Sequence, residues 1–239
     1  MTWPPAARMD PETLVYAVGD VHGRLDLLRR LHRMILEDAA TRPQRRRYIV
    51  FLGDYVDRGP DSAGVIDFLT RAAGADDSFE RVFLMGNHDA CALDFMEGRD
   101  DGLWWINRLG GAQTLLSYEV APGTGSGRQL RHAMPEHHRA FLHSLKLHHV
   151  IDGLLFVHAG IRPGVALHDQ DPEALLWIRE EFLDSPVDHG WLVVHGHTIS
   201  WDGPDIRANR IGIDTGAVIT DVLTALVLCE GDAGFLQTP

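Results

Sequence analysis

Cysteine is scarce in this 239-residue chain, which carries two, Cys91 and Cys229. Two are too few for a disulfide framework, so the fold is expected to rest on its own core in a reducing compartment. Long apolar runs are missing as well. No stretch of 18 or more apolar residues occurs, which argues against a membrane-spanning helix. The segment around Trp3-Pro4-Pro5 lacks the apolar centre of a secretory signal. Together these absences read as a cytoplasmic protein with no membrane partner. Positive charge is short too: 22 Lys and Arg stand against 34 Asp and Glu, a formal net charge of −12. That balance argues against nucleic acid as a partner, which needs a basic surface. The one basic run, Arg42 with Arg45, Arg46 and Arg47, reads as a solvated loop before a strand. The rest is an ordinary globular composition, 45% hydrophobic and 23% charged, enough to bury one large core in a single domain spanning 1–239.

What the chain does have is three related segments: Gly19-Asp20-Val21-His22-Gly23, Gly53-Asp54-Tyr55-Val56-Asp57-Arg58-Gly59 and Gly86-Asn87-His88-Asp89. Each follows an apolar run that reads as a buried strand, Leu14 to Val18, Tyr48 to Leu52 and Val82 to Met85. They recur at about 34-residue intervals, enough for a strand, a helix and a return. Helices are expected over Arg24 to Asp38 and Pro60 to about Ala73, with a turn at Ala75 to Ser78. From about 90 to 150 the pattern becomes mostly helical, a cap or insertion beside the site, with a Trp104-Trp105 pair and a glycine-rich loop at Pro122 to Gly127. Further on, Leu154 to Val157 and Leu192 to Val194 read as strands, Pro172 to Leu183 as one helix, and Val222 to Cys229 as the closing strand.

Strand ends that deliver carboxylate, amide and imidazole groups to one place suit a metal site. Asp20 and His22 supply oxygen and nitrogen, a mixture favouring Mn, Fe or Zn over Mg or Ca. Asp54 is placed to bridge two ions, and Asn87, His158 and His197 complete the set of ligands to the second ion. Two divalent ions about 3.5–4 Å apart would lower the pKa of a bridging water toward 7 and make its hydroxide the nucleophile of an in-line displacement. Arg58 and Arg179, with Asn87, are candidates to hold the substrate phosphate. His88 is the candidate general acid, oriented by Asp57. His195 and Asp214 read equally as support or as interior side chains.

These motifs resemble the phosphoprotein phosphatase family of metallophosphoesterases. Asp20-x-His22, Gly53-Asp54-x-x-Asp57-Arg58-Gly59 and Gly86-Asn87-His88-Asp89 match its three-part fingerprint, and His158-Ala159-Gly160 and Gly196-His197-Thr198 match its later histidine motifs. The resemblance implies an α/β four-layer calcineurin-like fold, a central β-sandwich of mixed sheets flanked by helices. It implies two divalent metal ions, Mn2+ foremost with Fe or Zn as alternatives. Trp177-Ile178-Arg179-Glu180 resembles the segment that supplies a second phosphate arginine in short bacterial members. Asp89 stands where eukaryotic members have glutamate, and Ile199 where broader metallophosphoesterases place a histidine; both suit a compact bacterial type. The implied activity is hydrolysis of phosphoserine and phosphothreonine, with phosphotyrosine as a further substrate. The alternative is a symmetrical bis(5'-nucleosyl)-tetraphosphate hydrolase, whose members usually carry alanine at the position of Asp57. A non-catalytic binding module would have lost ligands, and here none is missing. The expected partner is a phosphorylated protein or a small phosphoester.

Overall fold

The computed structural model describes residues 8–72, 78–123, 125–229 and 232–239. The chain opens with β1 (Thr13–Val18), crosses through α1 (Leu25–Ala39) to β2 (Arg46–Phe51), and again through α2 (Ser62–Ala72) to β3 (Glu80–Phe83). Helices follow: α3 (Asn87–Glu97), a π-helical turn at Trp105–Leu109, α4 (Gly111–Ser117), α5 (Ser126–Ala133) and α6 (Glu136–Ser144). The second half holds β4 (His148–Ile151), β5 (Leu154–Val157), α7 (Pro172–Trp177), α8 (Glu180–Leu183), β6 (Leu192–His195), β7 (Asp205–Ile206), β8 (Arg210–Gly212), α9 (Ala217–Thr220), β9 (Thr224–Cys229) and β10 (Asp232–Gln237).

β1 is apolar on both faces because both are covered. Leu14, Tyr16 and Val18 join α1, α2 and the helices after β3 in one core, while Val15 and Ala17 join a second core between two sheets. The period-two alternation of a strand does this sorting. The first sheet runs β10-β9-β1-β2-β3 and the second β4-β5-β6-β8-β7. β1, β2 and β3 are parallel, as are β5, β6 and β8, and antiparallel partners close each sheet. Val50, Leu52 and Leu226 of the first sheet meet Leu154, Phe156, Leu192 and Val194 of the second. On the far side, Leu155, Val157 and Val193 lie under Leu175 and Phe182. Helices, sheet, sheet and helices stack as the four-layer α/β fold the motifs imply. The parallel strands of both sheets end at one edge, where ligands of open α/β sheets bind.

Several elements depart from the sequence reading. The helical stretch ends at Ser144, and residues 148–151 form β4 instead, paired antiparallel with β5. Asp152, at φ 52°, turns the hairpin; an Asp-Gly pair between apolar runs signals such a turn, and the helical pattern masks it. The single helix expected over Pro172 to Leu183 is broken at Ile178 and Arg179, whose φ and ψ are −131° and −104°. No glycine or internal proline marks the break, and Leu175 before it and Phe182 after it both pack on the second sheet. β10, not β9, closes the chain. The basic run is part strand: Arg46 and Arg47 begin β2, with Arg46 paired to Asp10 and Arg47 donating to the Arg42 carbonyl. β3 begins earlier than expected, and Leu84 continues as a bridge to Lys146. The Trp3-Pro4-Pro5 segment, Ala75 to Asp77 and Thr124 lie outside the described residues. No helix among the described residues is long and apolar enough to cross a membrane.

Candidate active site and metal centre

Asp20 and His22 follow β1, Asp54 follows β2, Asn87 and His88 open α3 just beyond β3, and His158 and His197 follow β5 and β6. The turns that aim them are strained. His22, Asp54, Asp57, Arg58 and His197 all have positive φ, five of the eight described non-glycine residues that do. Such residues cost about 1–3 kcal/mol each and persist where the surroundings over-determine them. Two motif glycines answer to close approach. A Cβ at Gly86 would lie 2.0 Å from Asp54 Oδ1, and one at Gly196 would lie 2.1 Å from Asp20 Oδ1. Asp89 ties the second and third of these loops together, accepting the backbone N–H groups of Asp54, Tyr55 and Gly86.

Donor atoms converge in two groups that share Asp54: His22, Asp54 and His88, and Asp54, His158 and His197. His22 donates its Nδ1–H to the Val56 carbonyl and His158 its Nδ1–H to the Leu52 carbonyl, both at 2.9 Å. A carbonyl only accepts, so each Nε2 is left as a bare lone pair in the neutral ring. Burial holds both rings neutral, pushing His22 well below the usual range and His158 down to about 3. His22 Nε2 faces Asp54 Oδ2 at 3.4 Å, and His158 Nε2 faces Asp54 Oδ1 at 3.5 Å. Asn87 Oδ1 lies 2.8 Å from His158 Nε2 and 2.9 Å from His197 Nδ1. The His158 Nε2 lone pair, facing Asp54 Oδ1 and Asn87 Oδ1, is repelled until a cation sits among them. Asp20 stands beside the groups, its carboxylate accepting the His197 backbone N–H, with the Asp214 carboxyl close enough to raise its pKa. Burial raises the pKa of Asp20 and of Asp54, and neighbouring carboxylates raise both further. Buried acids with neutral imidazoles fit divalent cations, with one Asp54 oxygen turned to each group.

His88 and Asp57 meet as expected. The His88 Nδ1–H donates to Asp57 Oδ2 at 2.8 Å. Asp57 is 0% exposed, and burial raises its pKa to about 7 against the hydrogen bonds of Thr114 and Trp105 and the charge of Arg58. Those two partners escaped the sequence reading. Trp105 donates its Nε1–H to Asp57 Oδ2 at 2.7 Å, and Thr114 donates its Oγ–H to Oδ1 at 2.6 Å. The signal for Trp105 was its indole N–H, which needs an acceptor when buried.

Arg58 joins the two imidazoles of the first group. Its Nη1 donates to His22 Nε2 at 3.0 Å and its Nη2 to His88 Nε2 at 2.9 Å. Arg179 is exposed at the rim and donates to Thr198 Oγ1 at 3.0 Å; the break between α7 and α8 brings it there. Trp104 is 52% exposed and packs against Trp177 with the rings tilted by 47°, and Trp177 in turn packs edge-on against His197. His195 points away, donating to the Gly196 carbonyl and packing on Phe182 beside Arg210.

A calcineurin-like phosphoesterase family model matches residues 13–221. The chain is 30% identical over 217 residues to serine/threonine-protein phosphatase 1 of Salmonella typhimurium (strain LT2), covering 88% of this chain and 89% of that protein. It is 28% identical over 231 residues to the asymmetrical bis(5'-nucleosyl)-tetraphosphatase PrpE of Bacillus thuringiensis (strain Al Hakam), covering 87% and 88%. Among solved structures, the cold-active protein-tyrosine phosphatase of a psychrophilic Shewanella matches with a TM-score of 0.60 at 18% identity, over 97% of this chain and 84% of that one, a likeness of fold. With a family match across most of its length and a buried His/Asp cluster suited to divalent metals, this chain belongs to the calcineurin-like metallophosphoesterases.

Proposed function

We propose that the chain hydrolyses phosphomonoesters of serine and threonine side chains, and of tyrosine, with two divalent ions of which Mn2+ is foremost. Asp20, His22 and Asp54 would hold one ion, and Asp54, Asn87, His158 and His197 the other. When bound, the ions supply positive charge for the phosphoryl oxygens and lower the pKa of water between them. Arg58 turns its paired N–H groups from the two imidazoles to two phosphoryl oxygens. Asn87 offers its amide to a third, and Arg179 closes the rim. His88, freed from Arg58, carries a proton on Nε2 and gives it to the leaving oxygen as the oxygen of water bonds to phosphorus and the ester P–O bond breaks, so serine or threonine departs as the alcohol and phosphate remains. Asp57 holds the imidazolium through Nδ1. The observation that carries this reading is the buried His88–Asp57 hydrogen bond at 2.8 Å, since a general acid matters most for an alkoxide leaving group.

A dinucleoside tetraphosphate hydrolase is the second reading. The Bacillus relative is named as one, of the asymmetrical rather than the symmetrical kind, and the exposed Trp104 ring at the rim offers an aromatic surface to a base. The two readings separate on kcat/KM for a phosphothreonine peptide and for diadenosine tetraphosphate, measured with Mn2+-loaded protein. Preference for the peptide is expected; preference for the dinucleotide would replace the first reading by the second.

A further inference from the structure

A third group of donors lies outside the strand ends, where α2 meets α6. Asp67, His137 and His138 each present one donor atom within 4.8 Å of the others. Asp67 Oδ1 is 3.8 Å from His137 Nε2 and 3.7 Å from His138 Nε2, both beyond hydrogen-bonding reach. Asp67 Oδ2 is already paired with Arg71, so Oδ1 is the oxygen left to the group. His138 is 4% exposed, and its buried Nε2 has no hydrogen-bond partner. Its Nδ1 lies 2.9 Å from Tyr118 Oη. With the ring proton on Nδ1 and given to Tyr118, Nε2 is a lone pair aimed at a carboxylate oxygen. Metal-bound histidines carry this arrangement, the far nitrogen donating to a partner that fixes the tautomer. Burial lowers the His138 pKa, His137 adds to the effect and Asp67 opposes it, which keeps the lone pair available at neutral pH.

We propose that Asp67, His137 and His138 form a cation site independent of the strand-end centre, taking Zn2+ or a similar borderline-soft divalent ion and tying α2 to α6. A tetrahedral Zn2+ with bonds of about 2.0–2.2 Å sets its ligand atoms about 3.3–3.6 Å apart. The two separations from Asp67 exceed this by a few tenths of an ångström, and the two imidazole donors lie within 4.8 Å of each other. Rotation of the exposed His137 ring and of the Asp67 carboxylate closes that gap. Two imidazoles favour Zn2+ over the all-oxygen cations Mg2+ and Ca2+. Three protein donors leave the remaining position to water, so the ion is exchangeable.

The test is equilibrium dialysis of chelator-stripped protein against buffered Zn2+, with metal counted per chain. The native chain is expected to hold one more Zn2+ than His137→Ala, whose side chain is exposed and outside the core, and one more than Asp67→Asn. His143→Ala, on the same helix but paired with Glu97, is expected to hold the native number. Equal counts in the native chain, His137→Ala and Asp67→Asn would overturn the proposal, as would the loss of an ion in His143→Ala. Incomplete loading of the strand-end centre lowers every count alike and leaves the difference between variants readable. The tie to the fold is read separately: Zn2+ should raise the Tm of the native chain more than that of His137→Ala, and equal rises would remove the tie between α2 and α6.

Discussion

Asp57 holds its place through three side-chain donors, His88, Trp105 and Thr114, and through its own N–H, which donates to Ser62 and Thr114. A carboxylate so fixed can keep one face toward the His88 ring through the proton transfer proposed for it. Trp105 and Thr114 act through Asp57, so their loss should appear in kcat. Trp105→Phe and Thr114→Val are each expected to lower kcat about tenfold with KM unchanged, since a hydrogen bond to a charged group contributes about 1.5–3 kcal/mol. Unaltered kcat in both variants would remove the positioning role. His88→Asn should cut turnover about 10²–10⁴-fold on alkyl phosphates and less on aryl phosphates, whose leaving group needs no proton. Equal losses on the two would sink the general-acid role. At this scale the motifs were informative, because Asp57 and Arg58 are neighbours in a short turn. Trp105 and Thr114 were not legible as partners. They lie 48 and 57 residues further on, and a π-helical turn and a separate helix bring them back.

The elements that could be read in advance are those whose apolar period has one cause. β1 and β5 are buried on both faces and α1 on one, so runs and stripes sufficed. The break at Arg179 and the edge strand β10 follow from packing and pairing that no local period encodes. The end of α1 offers a measurable case. Asp38 accepts Arg42 Nε at 2.5 Å and the Tyr16 hydroxyl at 2.5 Å, fastening the helix to β1 and to the loop beyond. Burial alone would raise the Asp38 pKa, but the bonds from Arg42 and Tyr16 outweigh it and hold the carboxyl below its ordinary value. The folded state therefore binds fewer protons than the unfolded chain just below pH 4. This contribution is present above the unfolded pKa of about 3.9 and is lost as pH falls through the folded one. Asp38→Asn should lower Tm at pH 7, and its deficit against the native chain should shrink as pH drops from 4 toward 2. A deficit that stayed constant over that range would assign the effect to packing.

At the scale of the molecule, two sheets of different strand order meet at one edge, and each contributes donors to a common centre. The His158 Nδ1–H bond to the Leu52 carbonyl already links the sheets there. Divalent ions would link them more strongly, because Asp54 comes from one sheet and His158 and His197 from the other. Chelation is expected to abolish hydrolysis and Mn2+ to restore it. An ion at about 100 times its Kd adds about 2.7 kcal/mol of stability, so loading should raise Tm by roughly 5–10 °C in a chain of this length. An unchanged Tm would mean that the ions bind the unfolded chain equally well, or that they do not bridge the sheets.

The donors run from Asp20 to His197 along the chain, and this spread has a kinetic consequence. The centre needs the longest loops closed, so the proposed ions would meet a chain that has already crossed its folding barrier. Mn2+ should therefore slow unfolding in denaturant while leaving the refolding rate as it was, the signature of contacts absent from the transition state. The ions would act as a latch, set after the door has swung shut unaided, and they would lengthen the life of the folded chain without hastening its birth.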